Sequence, residues 1–267
     1  MSEVNFTQKD GFHIIKIKGK SRLIPIVREN EEFFSDTVIR AQSKANLTVC
    51  INACWYDVTP SGIADAYAGH DPVLAQETSN QGFALLGTGK RHGKSSPLMF
   101  YIAQKIDYSW YVGQGDVPEK GFYTGVGGLC PLVVNGLKYG TKNIYSKTLK
   151  DPVLNGEPHP QHKSYLIQRS NRKYNDLYAG DNRAGRAGLG FDKNGNLIII
   201  VQRHGAGGQI SYDGFRDMFI SFGCVSAVSV DGSDSVFLWY GGKFQFKAGE
   251  TKNETQTFGI GIRAETS

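Results

Sequence analysis

The chain has 267 residues, enough to bury a sizeable core in one large domain or two small ones. Its 30 lysines and arginines against 25 aspartates and glutamates leave a net charge of +5, with no basic block long enough for a nucleic-acid arm, so a nucleic-acid partner is not expected. No apolar run reaches membrane-spanning length and the first residues lack a basic-then-apolar signal, so the expectation is no membrane insertion and a cytoplasmic, virion or leaderless secreted protein.

Aromatic residues are plentiful (15 Phe, 13 Tyr, 3 Trp) and 33 glycines accompany them, which suits aromatic strands punctuated by tight turns. In chain order, Phe12 to Lys18 alternates apolar and basic residues and predicts an edge or half-exposed strand, with Leu23 to Val27 as a candidate partner. Glu31 to Ala45 carries Phe34, Val38 and Ile39 at the spacing of an amphipathic helix, and Leu47 to Ala53 reads as a strand. Asn135-Gly136 and Asn194-Gly195 each join strand-like runs, a strong hairpin signal. Ser211 to Phe222 predicts a second helix, with Ser211 as N-cap, Phe215, Met218, Phe219 and Phe222 as its apolar face, and Gly223 as its stop. Thr257 to Arg263 alternates again and supplies a late strand. Long polar loops are expected at 62–82, 88–96 and 150–181. The predicted fold class is α+β: a single domain, residues 1–267, of mostly antiparallel sheet with two or more flanking helices.

Cys50, Cys54, Cys130 and Cys224 each lie among apolar neighbours and read as buried reduced thiols. There is no CxxC and no His/Cys cluster of zinc spacing, and acidic turn residues alone set no ligand spacing, so neither a metal nor a cofactor is expected. The glycine runs at 125–128 and 205–208 lack the spacing and helix–strand context of a dinucleotide fingerprint and read as tight turns.

The richest chemistry lies between Phe222 and Phe244. Val228 and Val230 alternate with Ser229 as in a half-buried strand, and Val236 to Tyr240 is a short continuous apolar run. Between them, Asp231-Gly232-Ser233-Asp234-Ser235 concentrates carboxylates and hydroxyls at a strand end. An ordinary polar hairpin is the plain alternative.

Four blocks, in order, are similar to the phosphodiester glycosidase family: Cys50 to Asp57 (CINACWYD), Gly128 to Gly136 (GLCPLVVNG), Arg186 to Leu197 (RAGLGFDKNGNL) and the helix–strand–turn Ser211 to Ser235. The resemblance spans about residues 47–244. It implies hydrolysis of a sugar-1-phosphodiester, in a cell-surface or cell-wall polymer. That family usually has Asp-Gly-Gly-Gly-Ser where this chain reads Asp231-Gly232-Ser233-Asp234-Ser235. The departure supports a second reading, a non-catalytic phosphoglycan-binding or structural component on the same fold, as in a phage or secretion apparatus.

Cleaving a sugar-1-phosphodiester breaks an anomeric C–O bond through an oxocarbenium-like transition state. The departing phosphomonoester is a weak base, so the site needs a carboxylate and phosphate donors more than a strong general acid. Asp231 is the candidate carboxylate, as nucleophile or as base for water; a turn-capping role is its alternative. Arg186 is the candidate phosphate clamp, since a guanidinium offers a bidentate fork, with Arg183 second. Asn52 can orient a sugar hydroxyl or water, and His204 can donate a proton or bind phosphate. Asp57 is a candidate second carboxylate, and Gly232, Ser233, Asp234 and Ser235 are candidate substrate-lining residues. The expected partner is a phosphorylated carbohydrate; nothing in the sequence fixes an oligomeric state.

Overall fold

The computed structural model describes residues 2–29, 32–54, 82–93, 100–138, 153–154, 157–158, 185–208, 210 and 212–265. The first half contains β1 (Glu3–Lys9), β2 (Phe12–Lys18), β3 (Ser21–Val27), α1 (Phe34–Ala45), β4 (Val49–Asn52), β5 (Phe83–Leu85), β6 (Arg91–Gly93), β7 (Phe100–Lys105), β8 (Trp110–Gln114) and β9 (Phe122–Val134). There follow β10 (Leu137–Lys138), β11 (Val153–Leu154), β12 (Glu157–Pro158), β13 (Arg186–Asp192), β14 (Leu197–Gln202), α2 (Tyr212–Ser221), β15 (Cys224–Ser229), β16 (Leu238–Tyr240), β17 (Lys243–Phe246), α3 (Glu250–Thr255) and β18 (Phe258–Ala264). The protein is α+β and mostly antiparallel sheet, as its sequence predicts.

Two sheets face each other. The larger runs β1-β2-β14-β13-β15-β9-β5-β6, with β7 and β10 also on β9 and β8 on β7. The smaller runs β17-β16-β4-β18-β3. Side-chain alternation builds the layers. In β4, Val49 and Ile51 enter the core between the sheets, while Cys50 packs with Phe34 and Val38 of α1 on the outer side. In β13, Ala187, Leu189 and Phe191 join the inter-sheet core. Gly188 and Gly190 alternate with them and turn outward. A Cβ on Gly188 would lie 3.1 Å from Phe215 and 3.3 Å from Phe219, so missing side chains bring α2 down onto the sheet.

Both Asn-Gly hairpins form as expected. Asn135 and Gly136 take φ of 52° and 79° between β9 and β10, the left-handed pair of a type I′ turn. Gly195 takes φ 79° between β13 and β14, with its N–H on Asp192 O at 3.0 Å. Phe215 and Phe219 are fully buried, with Met218 and Phe222 half-buried beside them, and Gly223 closes the helix at φ 79°. The N-cap expected at Ser211 lies outside the described residues.

Five expectations need correction. The strand β2 is no edge: it sits between β1 and β14, because the continuous apolar run of β14 offers it a fully buried neighbour. Its supposed partner β3 crosses to the smaller sheet and pairs with β18. Ile39 points to solvent, 49% exposed, so α1 buries a narrower face than its spacing suggests. Of the loop expected at 88–96, residues 91–93 form β6 against β5. The strand β15 is buried rather than half-buried, being central between β13 and β9 and covered by α2. The loops expected at 62–82 and 150–181 lie almost wholly outside the described residues.

Candidate active site

β15 and β16 are not a hairpin. They belong to different sheets, and Val230 to Phe237 carries the chain from one to the other. Asp231 sits at this crossing. Its backbone N–H bonds Ala53 O, just past β4, at 2.9 Å, while the preceding N–H of Val230 bonds Ala187 O of β13 at 3.0 Å. The ends of three strands from two sheets therefore meet around one carboxylate.

The Asp231 side chain is 8% exposed and each carboxylate oxygen is held. Oδ1 accepts the Gly232 N–H at 3.0 Å, and Oδ2 accepts the Ser235 hydroxyl at 2.6 Å. Such donors fix orientation and favour the charged form, the more so where water is scarce. Ser235 is positioned in turn by Gln256, whose amide donates to Ser235 O. Asn52, 1% exposed, donates its amide to Asp231 O at 2.6 Å. The other end of that amide, Oδ1, is buried with no hydrogen-bond partner among the described residues.

Arg186 opens β13 on the same side of the crossing and is 2% exposed. Its neighbours Gly185 and Ala187 bond Ser233 and Val230, so the arginine stands opposite Asp231 and Gly232. Gly185 has no room for a side chain: a Cβ there would lie 2.3 Å from Ser233 O. One cross-strand neighbour of Arg186 is Gln202, also 2% exposed. The Gln202 amide donates to Gly207 O at 3.1 Å and Gly208 O at 3.2 Å, tethering the turn that carries His204.

The expected residues thus divide. Asn52, Arg186, Asp231, Gly232 and Ser235 are brought together. Ser233 joins through its backbone and takes φ 58°, a left-handed conformation that suits the glycine usual at that place. Asp234 turns towards Gly249 before α3, where a Cβ on the glycine would meet its Oδ2 at 3.6 Å. His204 is half-buried at the same end of the sheet, and its Nδ1 has no hydrogen-bond partner among the described residues. Asp57 and Arg183 lie outside those residues. Gln202 and Gln256 were not expected. Gln202 is legible by counting outward from the Asn194-Gly195 turn until Arg186 finds its opposite; Gln256 has no local signal. No group of three or more metal-ligating side chains occurs among the described residues.

The profile of the phosphodiester glycosidase family matches residues 111–263, more than half of the chain. The chain belongs to the phosphodiester glycosidase family. Three of the four resembling blocks lie inside that match, and the Cys50–Asp57 block precedes it. Among solved structures, the catalytic domain of zebrafish N-acetylglucosamine-1-phosphodiester alpha-N-acetylglucosaminidase, auto-inhibited by its pro-peptide, shares the fold with a TM-score of 0.58. Its identity is 12%, over 100% of this chain and 83% of the zebrafish one. A hypothetical protein from Synechocystis aligns with a TM-score of 0.38 and 13% identity, over 98% of this chain and 61% of its own. A protein from Burkholderia pseudomallei K96243 aligns with a TM-score of 0.45 and 11% identity, over 94% of this chain and 73% of its own. No curated protein sequence matches the chain. As a phosphodiester glycosidase family member, it sets Asp231 and Arg186 in the C-terminal part that the family profile covers.

Proposed function

We propose that the chain hydrolyses the bond between a sugar's anomeric carbon and a phosphodiester. The observation that carries this reading is the buried Asp231 carboxylate, fixed by Gly232 and Ser235 beside the Asn52 amide. In this scheme Asp231 attacks the anomeric carbon or deprotonates the water that does. Electrons of the anomeric C–O bond leave with the phosphate, a weak base that needs little protonation. Arg186 meets the phosphate oxygens with its fork, and Asn52 accepts a sugar hydroxyl or the reacting water. His204 supplies a proton or a further phosphate contact, and Ser233 lines the turn. The activity named for the zebrafish relative supports N-acetylglucosamine-1-phosphodiesters as the first compounds to try. A glycosyl phosphate of a cell-surface or cell-wall polymer is the natural setting for such a bond.

A second reading, a phosphoglycan-binding protein without turnover, draws on Ser233 and Asp234 at places where the family usually has glycine. Chromogenic or mass-tagged sugar-1-phosphodiesters separate the two. The wild-type chain should release sugar, and Asp231→Asn should lose at least ~10²-fold in turnover while still binding. Turnover at the wild-type rate in that variant removes Asp231 from the mechanism. Binding without hydrolysis in both proteins favours the second reading.

A further inference from the structure

A cleft of about 650 Å³ opens at the far ends of the strands that carry the candidate active site. Three turns form its walls: 19–22 between β2 and β3, 107–110 between β7 and β8, and 192–195 between β13 and β14. Arg186 begins β13 and Asp192 ends it, so at ~3.3 Å per residue the cleft lies roughly 20 Å from Arg186. Nothing in the proposed hydrolysis uses it.

The cleft has an aromatic lining. Trp110 is half-buried and stacks on Phe191, ring centroids 6.5 Å apart and planes 29° from parallel. Tyr108 is 40% exposed, with the Arg22 guanidinium 4.0 Å from its ring centroid. Tyr108 also takes φ 65°, a left-handed conformation that glycine adopts more readily than tyrosine. The ring is held in place by that guanidinium and by Tyr123 edge-on at 5.3 Å, and it still shows part of its surface to the cleft.

The rim is polar and already ordered. Asp107 Oδ1 accepts both the N–H and the hydroxyl of Ser109, at 2.9 and 2.6 Å. Asp192 Oδ1 accepts the Asn194 N–H at 2.8 Å, and Glu265 pairs with Arg22. Lys20 and Lys193 complete the set, so three cations face three carboxylates and no net field selects an ion. A preformed cleft of this size, with aromatic faces inside, short polar groups outside and balanced charge, fits an uncharged polyol with an apolar face. A pyranose has that shape: its C–H face lies on an indole or phenol ring while its hydroxyls meet the rim.

We propose that this cleft is a second, non-catalytic saccharide-binding site. It is read by binding alone and does not depend on turnover at Asp231. The full chain is titrated with glucose, galactose, N-acetylglucosamine and their β-linked disaccharides, followed by amide NMR shifts and tryptophan fluorescence. At least one sugar should saturate shifts at 107–110 and 192–195, with Kd on the order of 1 mM, the weak range expected of a small polar ligand. Trp110→Ala should weaken it by ~10-fold or more. Tyr108→Gly should weaken it too while keeping the fold, since glycine accepts φ 65° freely. Asp231→Asn should leave it unchanged. Inorganic phosphate is the control. No saturable shift in the cleft, undiminished binding in folded Tyr108→Gly, or a response to phosphate without one to neutral sugars each overturns the proposal.

Discussion

At Ser233 the backbone and the side chain disagree. The turn asks for φ 58°, which costs an L-residue about 1–2 kcal/mol, whereas glycine adopts it freely but gives back some 0.5–1 kcal/mol of chain entropy. Ser233→Gly should therefore be neutral or stabilising by up to ~1 kcal/mol, against the usual penalty for introducing glycine. A thermal melt decides it, and a clear drop in Tm would mean that the serine hydroxyl carries the turn. The sequence made much of this site legible. Asp231, Arg186 and Asn52 stand at strand ends beside small residues, where few conformations are open. Ser235 was readable as a lining residue, yet its hydroxyl serves Asp231 itself. Gln256 was invisible, because only the crossing between sheets brings it to Ser235 across 21 positions of sequence. Asp234 misleads for the opposite reason: proximity in sequence to Asp231 does not decide which way a turn residue faces.

Elements were easier to find than their partners. Hydrophobic period and Asn-Gly turns locate α1, α2, β4, β13, β14 and β18, since each depends on local spacing. They do not say that β2 pairs with β14 rather than β3, a choice made by burial across some 180 residues. The packing of α2 on β13 shows how little tolerance such a choice leaves. Gly188 has Val228 O only 2.6 Å from where a Cβ would be, with two phenyl rings just behind. Gly188→Ala must push the helix or the strand aside and should cost about 1–3 kcal/mol, read as a lower urea midpoint at unchanged slope. An unshifted midpoint would show that α2 rides loosely on the sheet. The same argument explains why β13 reads Ala-Gly-Leu-Gly-Phe from 187 to 191: side chains on the core face, bare backbone beneath α2.

Across the whole molecule, the core keeps its thiols out of reach. Cys50, Cys54, Cys130 and Cys224 are all reduced and buried. Burial pushes the Cys50 and Cys130 thiols far up and that of Cys224 up to about 12, so hardly any thiolate exists near neutral pH. Ellman's reagent at pH 8 should find almost no reactive thiol in the native protein and four after denaturation; fast native labelling would mean the inter-sheet core opens readily. That core was foreseen as apolar and antiparallel, but its division into two sheets was not, since no local pattern marks where the chain changes sheet. The division also sets a timetable. The strand β18 lies between β3 and β4, so the smaller sheet stays in two pieces until β18 arrives. On a ribosome adding about 5–20 residues per second, Asn52 waits on the order of 10–40 s for it. Through that interval Val49 and Ile51, later 1% exposed, have no finished sheet to enter. The site consequently waits for β18: a nascent polypeptide stopped short of Phe258 already holds Asn52, Arg186 and Asp231, and lacks the strand that closes the smaller sheet beside Asn52.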